Sequence, residues 1–161
     1  MKNWTQLLTF DPVASLIHKG NSAIRFFVER DLLDLDVSSI QQVWELPEPQ
    51  KILKKQLPDG SWPRSDKVQH PAVKHQLFDT WRAVNDLVGK FGFNQEHPQL
   101  ARAIEYLFSC QTQDGDFRGI MANQYATYYT GAIMALLIKA GYEDDPRIAQ
   151  GFRWLLAMRQ S

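Results

Sequence analysis

Apolar residues recur every three to four positions along almost the whole chain, and no stretch alternates apolar with polar as a half-buried strand would. The pattern therefore predicts an all-α protein. Residues 21–36, "NSAIRFFVERDLLDLD", place Ile24, Phe27, Val28 and Leu32 on one helical face, with Asn21 or Ser22 as N-cap. "VSSIQQVWEL" reads as a short amphipathic helix stopped by Pro47 and Pro49, and "PQKILKKQ" as another ending before Pro58. "KHQLFDTWRAVNDLVGKFG" is longer, with Leu77, Trp81, Val84, Leu87 and Val88 sharing a face and Gly92 as its stop. "HPQLARAIEYLFSCQ" starts with proline in its first turn and gathers Leu100, Ile104, Leu107 and Phe108 on one side. "NQYATYYTGAIMALLIKAG" is apolar on most faces, the mark of a buried inner helix. "DPRIAQGFRWLLAMRQ" closes the chain with Ile148, Phe152 and Leu155 or Leu156 on its apolar face.

Two of these helix pairs repeat each other. Ala83, Val84, Leu87, Lys90 and Gly92 align with Ala132, Ile133, Leu136, Lys139 and Gly141, and Phe93 aligns with Tyr142. Past the turn, Pro98, Leu100, Ala101, Tyr106 and Leu107 align with Pro146, Ile148, Ala149, Trp154 and Leu155. The period is about 48 residues, within the range of two-helix repeats. Each unit reads inner helix, glycine turn, proline-started outer helix and polar connector. The connectors themselves match: "KKQLPDGSWP" carries Gln56, Asp59, Gly60 and Trp62, and "CQTQDGDF" carries Gln111, Asp114, Gly115 and Phe117. In such a connector the glycine permits positive φ, the aspartate bonds backbone NH groups, the glutamine satisfies orphan groups at helix ends, and the aromatic packs back on the helices.

Composition narrows the function. Lys plus Arg and Asp plus Glu both number 18 in 161 residues, so the net charge is zero and a general nucleic-acid binder is disfavoured. Cys110 is the only cysteine, which excludes an intramolecular disulfide and a multi-cysteine zinc site. The start does not read as a signal peptide and no apolar run is long enough for a transmembrane helix, so a cytoplasmic protein is expected.

The residues 102–117, "RAIEYLFSCQTQDGDF", closely resemble the QW repeat of squalene and oxidosqualene cyclases, with Phe117 at the usual tryptophan. "KKQLPDGSW" keeps the second half of that repeat, with Lys51 at the aromatic position, and "GFRWLLAMRQS" keeps the first half with one extra residue before Gln160. "GDFRG" with "YATYYTGAIMALL" resembles a repeat of protein prenyltransferase β subunits. Residues 12–45 resemble the helical lead-in of bacterial proteins with prenyltransferase and squalene-oxidase-type repeats. The resemblance implies an α/α toroid, concentric inner and outer helices around a cavity, over residues 46–161 after a lead-in over 1–45, together one domain. The helix pairs are too few to close a ring and the last repeat is cut short, so a partial toroid is expected, as in a piece of a longer repeat protein. The open ends of such an arc call for a protein partner or a second copy.

The family's catalytic sets are missing. The cyclase acid motif D-x-D-D does not occur; "YEDDP" (Tyr142 to Pro146) lies at a turn and reads as an N-cap. Where prenyltransferases place a zinc-binding histidine the chain has Ala126, so no metal and no cofactor is expected. Cys110 and Gln113 have the outer spacing of an internal thioester but not its Gly-Glu centre, and Cys110 reads as a small core residue. His70 and His75, with Asp66 and Asp79, fall short of a metal set, and His18 and His97 read as surface or cap residues. Asp79 and Asp116 are the best acidic candidates. Trp81, Tyr125, Tyr128 and Tyr129, placed on the inner helices, are core or the lining of a cavity for an isoprenoid-like ligand. Arg118 is either a surface residue or a partner for an anionic group. The reading is a non-catalytic binding or interaction domain; the alternative is an isoprenoid-handling enzyme completed by further repeats or a second subunit.

Overall fold

A computed structural model of the chain describes residues 8–63, 75–121 and 123–159. They are helical, without a β-strand among the described residues, and fall into two compact units, Met1–Leu46 and Pro47–Ser161. The division lies one residue beyond the end of the lead-in read from the sequence.

The first unit holds α1 (Val13–Lys19), α2 (Ser22–Phe27) and α3 (Gln41–Trp44). Asn21 caps α2, its side-chain oxygen accepting from the Ile24 NH at 3.0 Å. α2 then widens into a π-helical turn over Val28–Leu32, and Asp34, at φ 54°, turns the chain away. Ala23, Phe26 and Val28 are buried, whereas Ile24 is exposed and Phe27 and Leu32 are half-buried. The stripe expected at Ile24, Phe27, Val28 and Leu32 is therefore corrected: α2 already buries Ala23 and Phe26 rather than Ile24, and past Val28 regular helical spacing does not persist. α3 is a single turn. Its expected stop, Pro47, instead opens α4 (Pro47–Leu53), because the missing NH of proline costs nothing in a first turn.

The second unit runs through α4, α5 (His75–Phe91), α6 (Pro98–Ser109), α7 (Thr127–Lys139) and α8 (Pro146–Met158). α5 is the hub and touches α4, α6 and α7, while α8 packs on α7. The core is Leu77, Val84, Leu87 and Val88 of α5, Leu100, Ile104 and Leu107 of α6, and Ile133, Met134 and Leu137 of α7. On α5 and α6 these lie on the apolar faces read from the sequence, although Trp81 of that α5 face is only half-buried, and α8 departs further. There Ile148, Gly151 and Trp154 are buried, but Phe152 and Leu156 lie exposed, correcting the expected apolar face. Gly151 is buried for a steric reason: a Cβ there would stand 2.6 Å from the Met134 sulfur.

The two connectors share a set of matching hydrogen bonds. Gln56 Nε2 donates to Gly60 O (3.0 Å) and to Gln99 O in the first turn of α6 (2.8 Å). Gln111 Nε2 donates to Gly115 O (2.8 Å) and to Arg147 O in the first turn of α8 (3.0 Å). The Trp62 NH donates to Thr80 Oγ1 (3.0 Å) and the Phe117 NH to Thr130 Oγ1 (3.1 Å). Gly60 (φ 89°) and Gly115 (φ 110°) both turn left-handed and press against the backbone of the next outer helix, at Arg102 and Gln150. The glutamines thus do more than satisfy the ends of their own helices. Each ties its connector to a first-turn carbonyl of a later helix, α6 or α8, which is not one of the orphan carbonyls of a C-terminus. Gln99 and Arg147, and Arg102 and Gln150, keep the sequence offset of the outer helices. The anchoring threonines do not keep that of the inner helices, since α7 has one residue fewer than α5 between its threonine and its left-handed glycine.

Candidate binding surface on the inner helices

Four aromatic rings meet along α5 and α7. Phe78 and Trp81 lie one turn apart on α5 with centroids 5.6 Å apart. Tyr129 of α7 stands edge-on to Trp81 at 5.7 Å, and Tyr128 stands edge-on to Tyr129 at 5.3 Å. These are the offset and T-shaped arrangements that ring quadrupoles favour. The Trp81 indole nitrogen is buried and has no hydrogen-bond partner among the described residues. A buried NH left without an acceptor costs about 1 to 3 kcal/mol, so such groups are uncommon and call for an explanation, a bound water or ligand oxygen among them. Tyr128, by contrast, is 74% exposed. The wall is aromatic, runs from half-buried to open, and carries one donor without a partner among the described residues.

Tyr125 is not part of this cluster and is not on an inner helix; it precedes the first residue of α7. It is 62% exposed, packs on Trp154 of α8 at 6.1 Å, and lies under the Arg118 guanidinium at 4.6 Å. Arg118 donates from Nε to Asp116 Oδ2 and from Nη2 to Asp114 Oδ2, both at 2.6 Å. Those two carboxylates hold its pKa above the usual arginine value, Asp116 contributing most. Asp116 is fully buried and its other oxygen accepts from the Thr112 hydroxyl. Asp116 thus braces the second connector with both oxygens taken, and Arg118 spends its charge within the same loop. In the first connector Asp59, the counterpart of Asp114, accepts from the Ser61 hydroxyl (2.6 Å) and NH (3.0 Å), bonds that hold its pKa below the usual carboxylate range. Asp79 is a half-buried residue of α5.

The remaining candidates fall as follows. Asp145 of "YEDDP" caps α8, accepting from the Arg147 NH at 2.9 Å. Cys110 is the half-buried C-cap of α6, and His97 the N-cap residue of the same helix with its ring 4.7 Å from Phe93. His18 lies in the last turn of α1, and His75 opens α5. His70 and Asp66 lie outside the described residues. No group of three metal-ligating side chains occurs among the described residues, and no helix among them is long and apolar enough to cross a membrane.

Sequence reasoning missed Phe78 and Trp154 as partners of the predicted rings, and missed Arg147. That arginine donates to both Glu105 oxygens at 2.8 Å, to both Asp145 oxygens at 2.9 and 2.7 Å, and covers the Phe108 ring at 3.7 Å. The bonds from Arg147 lower the pKa values of Glu105 and Asp145. A depressed carboxylate contributes stability that is present above its unfolded pKa and is lost as pH falls through the folded one. Arg147→Met should therefore cost about 1 to 2 kcal/mol near neutral pH, the exposure of Glu105 limiting the loss. The gap from the parent should close as pH falls below the ordinary carboxylate range, as read by urea unfolding at a series of pH values.

No family model matches the chain, and neither the curated proteins nor the solved structures contain a significant match to it.

Proposed function

We propose that the chain is a non-catalytic binding domain of the α/α-toroid repeat type, taking an extended apolar ligand of isoprenoid character against the inner-helix aromatic wall. The observation that carries this reading is the Phe78–Trp81–Tyr129–Tyr128 cluster with the unsatisfied Trp81 indole NH. Rings of this kind offer a large apolar surface at little conformational cost, and the lone donor suits a ligand with one oxygen. The connectors support the toroid reading, since their duplicated hydrogen bonds match the repeated sequence motif. The bracing role of Asp116 supports a domain without an acid catalyst.

Titration with farnesol, followed by tryptophan fluorescence and calorimetry, tests the proposal. Binding should weaken about tenfold in Trp81→Leu, which loses both ring and donor. Trp81→Phe, which keeps a ring, should lose less. Absence of binding to the parent up to the solubility limit, or unchanged affinity in Trp81→Leu, would sink the reading.

A second reading draws on the same rings. Their faces can stabilise a carbocation, as an isoprenoid-handling enzyme completed by further repeats or a second subunit requires. Turnover of squalene or farnesyl diphosphate by the purified chain, abolished in Asp79→Asn, would favour it over the binding domain.

A further inference from the structure

The outer helices α6 and α8 are equivalent residue by residue, fixed by the carbonyls of Gln99 and Arg147 that the two connector glutamines bond. Ile104 and Phe108 of α6 therefore correspond to Phe152 and Leu156 of α8. Ile104 is 0% and Phe108 4% exposed, and the next helix pair helps cover Phe108 with the Tyr142 ring and the Arg147 guanidinium. Phe152 and Leu156 are 44% and 63% exposed. The same positions are covered in one repeat and open in the next. With exposed Ala149 and Arg159 they form a seam at positions 149, 152, 156 and 159, the alternating three-and-four spacing by which two helices pack along one another.

The charges around this seam indicate what covers it. Glu143 and Asp144 stand exposed just before the N-terminus of α8, and Arg153 and Arg159 stand exposed towards its C-terminal end; none of the four forms an ion pair among the described residues. The seam is thus flanked by acidic residues at one end and by Arg159 at the other, with Ala149, Phe152 and Leu156 along it and Arg153 beside it. A strip with that order is complementary to itself when reversed. We propose that a second copy of this chain pairs with the first through α8, antiparallel, about a two-fold axis at Phe152. That register stacks the two Phe152 rings, sets each Leu156 against the partner's Ala149, and brings each Arg159 to the partner's Asp144. The aromatic wall belongs to α5 and α7 and the seam to α8, so the pairing does not rest on the ligand reading.

Sedimentation velocity of the full chain over a range of concentrations tests this. The mass should rise from 18.6 kDa towards twice that value with increasing concentration. Phe152→Glu should raise the dissociation constant at least about tenfold, as loss of a central aromatic anchor does. Its unchanged circular dichroism would confirm that the exposed substitution leaves the fold intact. Asp144→Lys and Arg159→Glu should each weaken the dimer, and the two together should restore it, because the swap recreates the pair with its signs exchanged. A chain that stays monomeric at the highest concentration, or a dimer indifferent to Phe152→Glu, overturns the proposal. Failure of the double swap to restore association overturns the antiparallel register.

Discussion

Alanine at Gly60 is expected to lower the stability of the second unit by about 3 kcal/mol or more, from backbone strain and steric overlap acting together. Gly60 sits at φ 89°, where an L-residue is strained whatever space surrounds it. The space is also absent, since a Cβ would stand 2.3 Å from the carbonyl oxygen of Arg102 in α6. That atom belongs to helix backbone and cannot rotate away as a side chain would. Relief requires α6 to withdraw from the connector, which stretches the Gln56 bond to Gln99 O. Thermal unfolding with a matched Gly89→Ala control should separate the effects. Gly89 is helical with nothing within 4 Å of its added Cβ, so alanine there should be neutral or stabilising. Equal melting temperatures for the two variants would show that the connector tolerates a side chain and that the close approach is not needed.

Phe117→Ala is expected to cost about 3 to 5 kcal/mol, the range for deleting a fully buried aromatic side chain. Phe117 is completely buried, and its NH bonds Thr130 Oγ1. Its backbone also pairs with Gln111 across the turn. Truncation leaves a cavity bounded by a loop that Asp116 and Arg118 hold in place, so collapse to fill it is hindered. Urea unfolding with an unchanged slope and a lowered midpoint is the expected form of the result. A loss under about 1 kcal/mol would mean that the connector relaxes freely around the gap.

Much of the second unit was legible in the sequence because its local signals agree with its packing. Pro98 and Pro146 open helices, Gly92 and Gly141 close them, and Leu100, Ile104 and Leu107 fall on the buried side of α6. The connectors were legible as a motif, though not in what they hold. That Gln56 reaches Gln99, or that Thr80 and Thr130 receive the aromatic NH groups, depends on how distant helices lie together, and the altered spacing in α7 hid the two threonines from a fixed-offset alignment. Periodicity also marks a stripe as apolar without saying that anything covers it: of the face read at Ile148, Phe152 and Leu155 or Leu156, Ile148 is buried and Leu155 half-buried, while Phe152 and Leu156 are exposed. The π-helical turn at Val28–Leu32 broke the rule by which the first face was read. At the candidate site, Trp81 and Tyr129 were chosen for their chemistry and do meet. Tyr125 was separated from them by where α7 begins, which no residue type announced.

The paired glutamines have a mechanical side as well. A single carboxamide at Gln56 and another at Gln111 each bridge a loop to the start of the next outer helix. Load passed from one helix pair to the next is carried by a few polar bonds, these two amides and the Arg147–Glu105 pair among them, whereas load along a single helix is spread over its whole ladder of bonds. Under tension residues 47–159 should therefore yield first at the joints between helix pairs. Each helix pair would detach whole and re-engage when the force is released, so that the chain gives way in steps set by its repeats.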